Sequence, residues 1–370
     1  MMVLLYLIIG AFLLIQLLSL FFLFIQDKNE KAVLEDWPMV SILLAARDEE
    51  KLILRSLQSI EALDYPKDKL QVLIGDDLSR DNTVPLIQSF ITDKNNYQLV
   101  PILENLGKGR GKANVLAQLA HIAKGEYYFI TDVDVALPTQ WIKALLQEFT
   151  PKVGIASGTT LCEKGNTFST MQAIDWLHFM GYIKSFANAG VGCTAVGNNM
   201  AVRAKAYWQT GGFEHLDFSI TEDYKLFQAV TKQGWEWRTT LQPETVGKAW
   251  AIESIWEMLH QRKRWLIGAA ELPVNWKGLI LLYGLFIPAL IVLIFLSWKL
   301  ALVIWLSKFL IQTVFIQLLC KKVGVAAFSL IELLQYEFYV VANTTATALF
   351  YLLPFNTQWK RRRYSRHNLS

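Results

Sequence analysis

The sequence predicts an α/β protein, a mostly parallel sheet with crossover helices, framed by transmembrane helices at its N- and C-terminal ends. Three observations predict it. Strand-like runs alternate with helical patterns through the middle of the chain, the order of a parallel sheet with crossovers. Each of the main strands runs into acidic residues, which places charge where such sheets bind ligands. The composition, 53% hydrophobic and 13% aromatic over 370 residues with a mean hydropathy of +0.28, is too apolar for a purely soluble chain of this length.

The elements follow in order. Met2 to Ile25 carries no charge and is long enough for a span of about 20 residues. It lacks a basic n-region and an A-x-A site, so residues 1–26 read as a retained anchor rather than a signal peptide. "WPMVSILLAARDEE" contains a continuous apolar run, Val40 to Ala46, of the kind a strand buried on both faces shows. A helical pattern covers Lys51 to Leu63 and stops at Tyr65–Pro66. "LQVLIGDDLSRDNT" is a second strand ending in Asp76 and Asp77, and "YQLVPIL" a third. The Gly-rich "ENLGKGRGKANVLAQLA" turns helical in its second half, and "YYFITDVDVALP" is a strand running into Asp132 and Asp134. Arg47, Asp48 and Glu49, Asp76 and Asp77, and Asp132 and Asp134 should therefore converge in one cleft.

Beyond this domain lie three more apolar segments, Gly278–Trp298, Leu300–Leu319 and Phe338–Phe355, which place the membrane segments at 278–355. Within them only Lys308 is charged, with no paired acid of the kind an ion pathway uses, which argues against a transporter. Glu332 and Glu337 make the stretch before Phe338 an expected interfacial helix, so that Lys321–Lys322 and the tail can both face the cytoplasm. The tail, 356–370, gathers Lys360, Arg361, Arg362, Arg363 and Arg366 and reads as a flank for anionic lipid, not for nucleic acid. The net charge of +4 is small, and the three cysteines, Cys162, Cys193 and Cys320, form neither a metal spacing nor an even disulfide framework.

Four motifs carry chemistry. Asp132 and Asp134 stand two apart, so an extended chain puts both on one face; two oxygens there suit Mg2+ or Mn2+, though a solvated acidic turn has the same spelling. "GKGRGKAN" is no P-loop, because Leu106 stands where the first glycine is needed and Ala113 replaces the hydroxyl. Its Lys108, Arg110 and Lys112 can still meet an anion. Thr221, Glu222 and Asp223 open a helix, with Thr221 or Ser219 as cap; the acids either favour the helix's first turn or accept a proton from a hydroxyl. In "HQRKRWLIGAA" Gln261, Arg264 and Trp265 share a helix face, suited to a sugar phosphate or to lipid headgroups.

Together "VSILLAARDEE", "GDDLSRDNT", "DVDVALP", "TEDYKLF" and "QRKRW", in that order over about residues 40 to 265, resemble the membrane-bound family 2 glycosyltransferases, which include cellulose and hyaluronan synthases and ceramide glucosyltransferases. The resemblance implies a GT-A, Rossmann-like nucleotide-sugar domain at 38–270, ending in an interfacial helix. It implies an inverting transfer from a nucleotide sugar, a UDP-sugar first, to a membrane lipid or lipid-linked acceptor. Arg47, Glu49, Asp76 and Asp77 would hold the nucleoside, Asp132 the nucleotide and metal, and Asp134 the Mg2+ or Mn2+. Lys112 and Arg264 would neutralise the leaving diphosphate, Asp223 would be the general base, and Gln261, Arg264 and Trp265 would shape the acceptor end. Gly197–Asn198–Asn199 falls on the acceptor side by its place in the pattern. The family usually has Asn at Asp48 and Gly-Ser at Leu78–Ser79, so the nucleotide pocket departs from the pattern there. The expected setting is the bacterial inner membrane with the catalytic domain cytoplasmic. A processive polysaccharide synthase and a non-catalytic nucleotide- or lipid-binding membrane protein are the competing readings.

Overall fold

The computed structural model describes residues 2–25, 31–34, 36–192, 194–354, 357–359 and 362–364. In chain order its elements begin with α1 (Met2–Phe24), β1 (Val40–Ala46), α2 (Ile53–Glu61), β2 (Leu70–Asp76), α3 (Thr83–Ile91), β3 (Tyr97–Pro101), α4 (Lys112–Ile122) and β4 (Tyr127–Asp132). Next come β5 (Val135–Ala136), α5 (Trp141–Leu146), β6 (Val153–Ser157), β7 (Thr159–Cys162), α6 (Thr167–Asn188), β8 (Asn199–Arg203) and α7 (Ala204–Gln209). The last are α8 (Glu222–Lys232), β9 (Glu236–Thr239), β10 (Val246–Ala249), α9 (Ile255–Ala269), α10 (Val274–Val323), α11 (Leu330–Leu352) and the short strands β11 (Thr357–Trp359) and β12 (Arg362–Tyr364). They divide into a sheet unit, residues 28–163, 194–250 and 360–370, and a helical unit, residues 1–27, 164–193 and 251–359.

The sheet unit is built on a seven-stranded sheet ordered β3-β2-β1-β4-β8-β6-β9. β1, β2, β3 and β4 pair in parallel, whereas β8 runs antiparallel to both β4 and β6. The apolar run of β1 is explained by its two faces. Val40, Ile42, Leu44 and Ala46 enter one core cluster while Leu43 enters another on the opposite side. β2 and β4 divide in the same way, Val72 and Phe129 against Leu73 and Ile130. With both faces covered by helices, polar alternation has no place on these strands. A Cβ on Gly75 would run into Val115, so glycine there lets α4 lie close on the sheet. A second sheet, β5-β10-β7, joins the chain just after the D-x-D to the strands at the end of the unit.

The two departures from the family spelling fall on the two non-glycine residues with positive φ among the described residues, Asp48 at 50° and Leu78 at 60°. Asparagine and glycine tolerate that left-handed region and leucine does not, so Leu78 is a strained, solvent-exposed position. The two loops are held by hydrogen bonds between them. The Asp48 N–H donates to Ser79 Oγ (3.0 Å), the Arg80 N–H to Asp48 Oδ1 (2.8 Å), and the Glu49 N–H to Thr83 Oγ1 (2.7 Å).

In the helical unit, among the described residues, α1 and α10 are long and apolar enough to cross a membrane. α10 breaks at Ser297, whose φ of −161° and ψ of 91° are not helical. Phe186 of α6 packs edge-on against Trp276, and Leu319 lies where a Cβ on Gly181 of α6 would be. In a straight helix Trp276 and Leu319 would be about 65 Å apart. α10 is therefore a hairpin of two helices turning at Ser297, matching the two segments expected at 278–298 and 300–319. Asn188 supports α1 by donating to the Phe22 carbonyl (2.9 Å).

Two sequence expectations are corrected in this unit. Glu337, expected on the polar side of an interfacial helix, is instead buried within the protein, where it accepts from Lys308 Nζ and Gln312 Nε2, both at 2.6 Å. Lys308 thus has a paired acid, supplied from α11, which the linear pattern did not reveal. Lys263, within "QRKRW", is also buried and donates to the carbonyls of Phe350 (3.0 Å) and Leu353 (2.7 Å), capping the C-terminal end of α11. Cys193, Lys360, Arg361 and Arg366 lie outside the described residues.

Candidate active site

Parallel register brings the acids to one edge of the sheet unit. Across β1, Ala46 pairs with Asp76 on one side and Ala45 with Asp132 on the other, so both carboxylates sit at the carboxyl end of the sheet. Arg47 reaches over to Asp77, donating to its carbonyl and standing 3.7 Å from its carboxylate. Asp76 accepts from the Ser79 N–H (3.2 Å), which closes the turn after β2. Beyond β4 the chain alternates: Val133 and Val135 are buried, while Asp132 and Asp134 are only partly so, as the two-residue spacing requires.

Lys112, the first residue of α4, is the hub. Its Nζ is 2.5 Å from Asp132 Oδ1 and 3.3 Å from Glu222 Oε1, and it donates to the Gly197 carbonyl at 3.0 Å. Its side chain is only 14% exposed. Burial pulls its pKa down, but Asp132 first and then Glu222 outweigh that, so the ammonium is held above its ordinary value and stays charged. One cation thereby ties the D-x-D, the start of α8 and the loop before β8.

Asp223 completes the cluster. It accepts from the Gly197 N–H (Oδ2, 2.9 Å) and from the Tyr224 N–H (Oδ1, 2.8 Å). Burial, and after it the neighbouring Glu222, raise its pKa from 3.8 to about 6, against Lys112 and the two N–H donors. Thr221 stands at the N-cap of α8 as expected, but its hydroxyl makes no cap bond; Ser219 Oγ accepts from the Thr221 N–H instead (3.0 Å).

Gly197 explains the segment that the sequence placed but gave no physical reason for. A Cβ there would stand 2.8 Å from both Cβ and Oδ2 of Asp223, so only glycine allows the carboxylate so close to the backbone. Asn199 then locks the loop: its amide donates to the Thr159 and Thr245 carbonyls, both at 2.9 Å, and its oxygen accepts from Trp141 Nε1 at 2.7 Å.

Arg47, Asp76, Asp77, Lys112, Asp132, Asp134 and Asp223, with Glu49 in the loop after β1, thus all belong to the sheet unit. Gln261, Arg264 and Trp265 lie on α9 in the helical unit. There Trp265 packs edge-on to Trp176 (5.5 Å) beneath Arg262, which pairs with Asp175. The contacts of Glu222 and Gly197 were not legible in the sequence, which placed Glu222 beside Asp223 in the first turn of a helix and Gly197 on the acceptor side by pattern alone; that they meet Lys112 and Asp223 comes from the fold.

The donor set fits a hard divalent cation, since Asp132 and Asp134 offer oxygen alone. Among the described residues no third His, Cys, Asp or Glu joins them in a metal-binding group, so a cation here takes its other ligands from water or from a ligand's phosphates.

A family model, Glycosyl transferase family 21, matches residues 2–365. The poly-beta-1,6-N-acetyl-D-glucosamine synthase of Staphylococcus epidermidis is 28% identical over 271 residues, 68% of this chain and 61% of that one. A beta-monoglucosyldiacylglycerol synthase of Synechocystis sp. is 26% identical over 242 residues, 64% of this chain and 48% of that one. The matches thus span less than two thirds of these relatives' length. Among solved structures, a mannosyltransferase from Pyrobaculum calidifontis in complex with GDP-Man and Mn2+ has a TM-score of 0.58 at 20% identity, covering 94% of this chain and 96% of that one, a likeness of fold. With a GT-A-like fold and a family match over nearly its whole length, the chain belongs to glycosyl transferase family 21.

Proposed function

We propose that the protein transfers one sugar, with inversion, from a nucleotide-sugar donor to a lipid or lipid-linked acceptor, with Asp223 as general base. The observation that carries this reading is the Asp223 carboxylate, fixed by two N–H donors beside the Lys112 hub and raised to about 6. A base of that strength is ionised at neutral pH yet takes a proton more readily than an ordinary aspartate. Arg47, Glu49, Asp76 and Asp77 hold the nucleoside at the end of β1 and β2. Asp134, with Asp132, would hold Mg2+ or Mn2+, which would supply positive charge to offset that of a departing diphosphate. Lys112 adds a fixed charge of the same sign beside Asp132, where negative charge develops as the nucleoside diphosphate departs. Asp223 takes the proton of the acceptor hydroxyl as its oxygen attacks the anomeric carbon from the face opposite the leaving group. Gln261, Arg264 and Trp265 on α9 serve the acceptor end.

Domains 1–26, 38–270, 278–355 and 356–370 serve as anchor, catalytic domain, membrane segments and basic tail. α1 and both halves of α10 cross the bilayer, each half being long enough for a span. Two crossings return the chain to the side from which Val274 enters, so Lys321 and Lys322 face the cytoplasm of a bacterial inner membrane, where activated sugars are found.

Lipid glycosylation and polymer synthesis both occur among the relatives, and product length separates them. Purified protein in detergent is incubated with UDP- and GDP-sugars and total membrane lipid. One sugar on a lipid is expected; a long ladder would assign a polymerase instead, and no transfer from any donor would leave a non-catalytic binding protein. Chelator should abolish turnover, and unchanged turnover in chelator would sink the metal role.

A further inference from the structure

The loop that carries Asp134 is pinned from behind by a residue of α2. Arg55 donates through one terminal nitrogen to the Asp134 carbonyl (3.0 Å) and through the other to Glu163 Oε1 (2.7 Å) and the Lys248 carbonyl (3.0 Å). The Asp134 carbonyl also accepts from the Trp250 N–H at 2.9 Å, so both its lone pairs are used. The Trp250 ring lies 5.8 Å from the same guanidinium. Four separate segments, α2, the D-x-D turn, the end of β7 and β10, therefore meet at one side chain. Only a planar fork with several donors can serve three acceptors at once; an ammonium on a flexible stem cannot hold that geometry.

We propose that Arg55, oriented by Glu163, is a positioning residue that fixes Asp134 for the divalent cation. The inference rests on the reading of Asp134 as a cation ligand. With the backbone of Asp134 held from two sides, its carboxylate starts from a fixed Cα and the cation meets a preset ligand instead of a mobile turn. Partners that orient a metal ligand commonly change affinity by about 10- to 100-fold when removed.

The test is Mn2+ binding by the full chain in detergent, read from the free-ion electron paramagnetic resonance signal with saturating UDP and, separately, GDP. Arg55→Met is expected to weaken Mn2+ binding by about 10- to 100-fold while its unfolding temperature stays above the assay temperature. A purely structural arginine would lower the unfolding temperature and leave the folded fraction's affinity alone. Arg55→Lys keeps the charge and loses the fork; it should weaken binding as well, and it carries the test if Arg55→Met does not fold. Wild-type Mn2+ affinity in the folded arginine variants, with Asp134→Ala unable to bind, overturns the positioning role but not the ligand role. Wild-type affinity in Asp134→Ala overturns both.

Discussion

Each unit of the protein shields a lysine against acid, one partner in the first case and three in the second. Lys308 and Glu337 form a closed pair, 5% and 7% exposed, one charge against one, with Gln312 satisfying the same carboxylate oxygen. Lys112 faces Asp132, Glu222 and Asp223, three acids to one cation, and Asp132 is 37% exposed. The first arrangement neutralises itself and holds helices together. The second leaves negative charge unbalanced at the open edge of a sheet, where a cation and a phosphorylated ligand can enter. Excess charge of one sign, not burial alone, distinguishes the candidate site from the structural pair.

The comparison can be broken at its strongest point first. Asp223→Asn should retain donor binding and lose about 10²- to 10⁴-fold in transfer, checked by donor titration beside a single-turnover assay. Donor binding lost with transfer retained would remove its role as base. Lys308→Met should cost about 3 to 5 kcal/mol, because it strands a buried carboxylate, while Lys308→Met with Glu337→Leu should unfold near the wild-type temperature. Equal melting of the single and double variants would show that the pair is not closed.

Gly197→Ala should lower transfer by about 100-fold and lower the melting temperature as well, since its methyl collides with Cβ and Oδ2 of Asp223 and displaces that carboxylate. Next comes pH. Transfer should fall about tenfold per unit below about pH 6 as Asp223 takes up its proton. Its stability effect has the opposite sense. The folded pKa lies above the unfolded 3.8, so its favourable contribution is complete below that value and is lost as pH rises through about 6. Melting of Asp223→Asn should therefore gain on wild type between about pH 4 and pH 6, then run parallel. The smallest effect is at Leu78, where glycine should stabilise the fold by about 0.5 to 1 kcal/mol by relieving its positive φ, measured by thermal unfolding.

The parallel strands were legible because burial on both faces leaves an unbroken apolar run, and the acids after β1, β2 and β4 were legible because parallel strands expose their carboxyl ends together. α6 was not. Thr167–Asn188 packs with α1 and α10 in the helical unit, and its mixed polar and apolar residues, buried on several sides, name no partner in the sequence. Arg55 was equally hidden, since its acceptors Asp134, Glu163 and Lys248 come from distant parts of the chain and two of them are carbonyls, which every residue has.

By itself the sequence determined the alternation of strands and helices, the apolar spans and the identity of the charged groups, all fixed by local periodicity and residue chemistry. Only the tertiary structure decided how the charges are shared: that Lys112 joins Asp132 to Glu222 and Gly197, that Asp223 is raised, and that Glu337 balances Lys308. The reason is physical. The strength of a charge or a hydrogen bond depends on distance and on exclusion of water, and neither is a property of a residue's place along the chain.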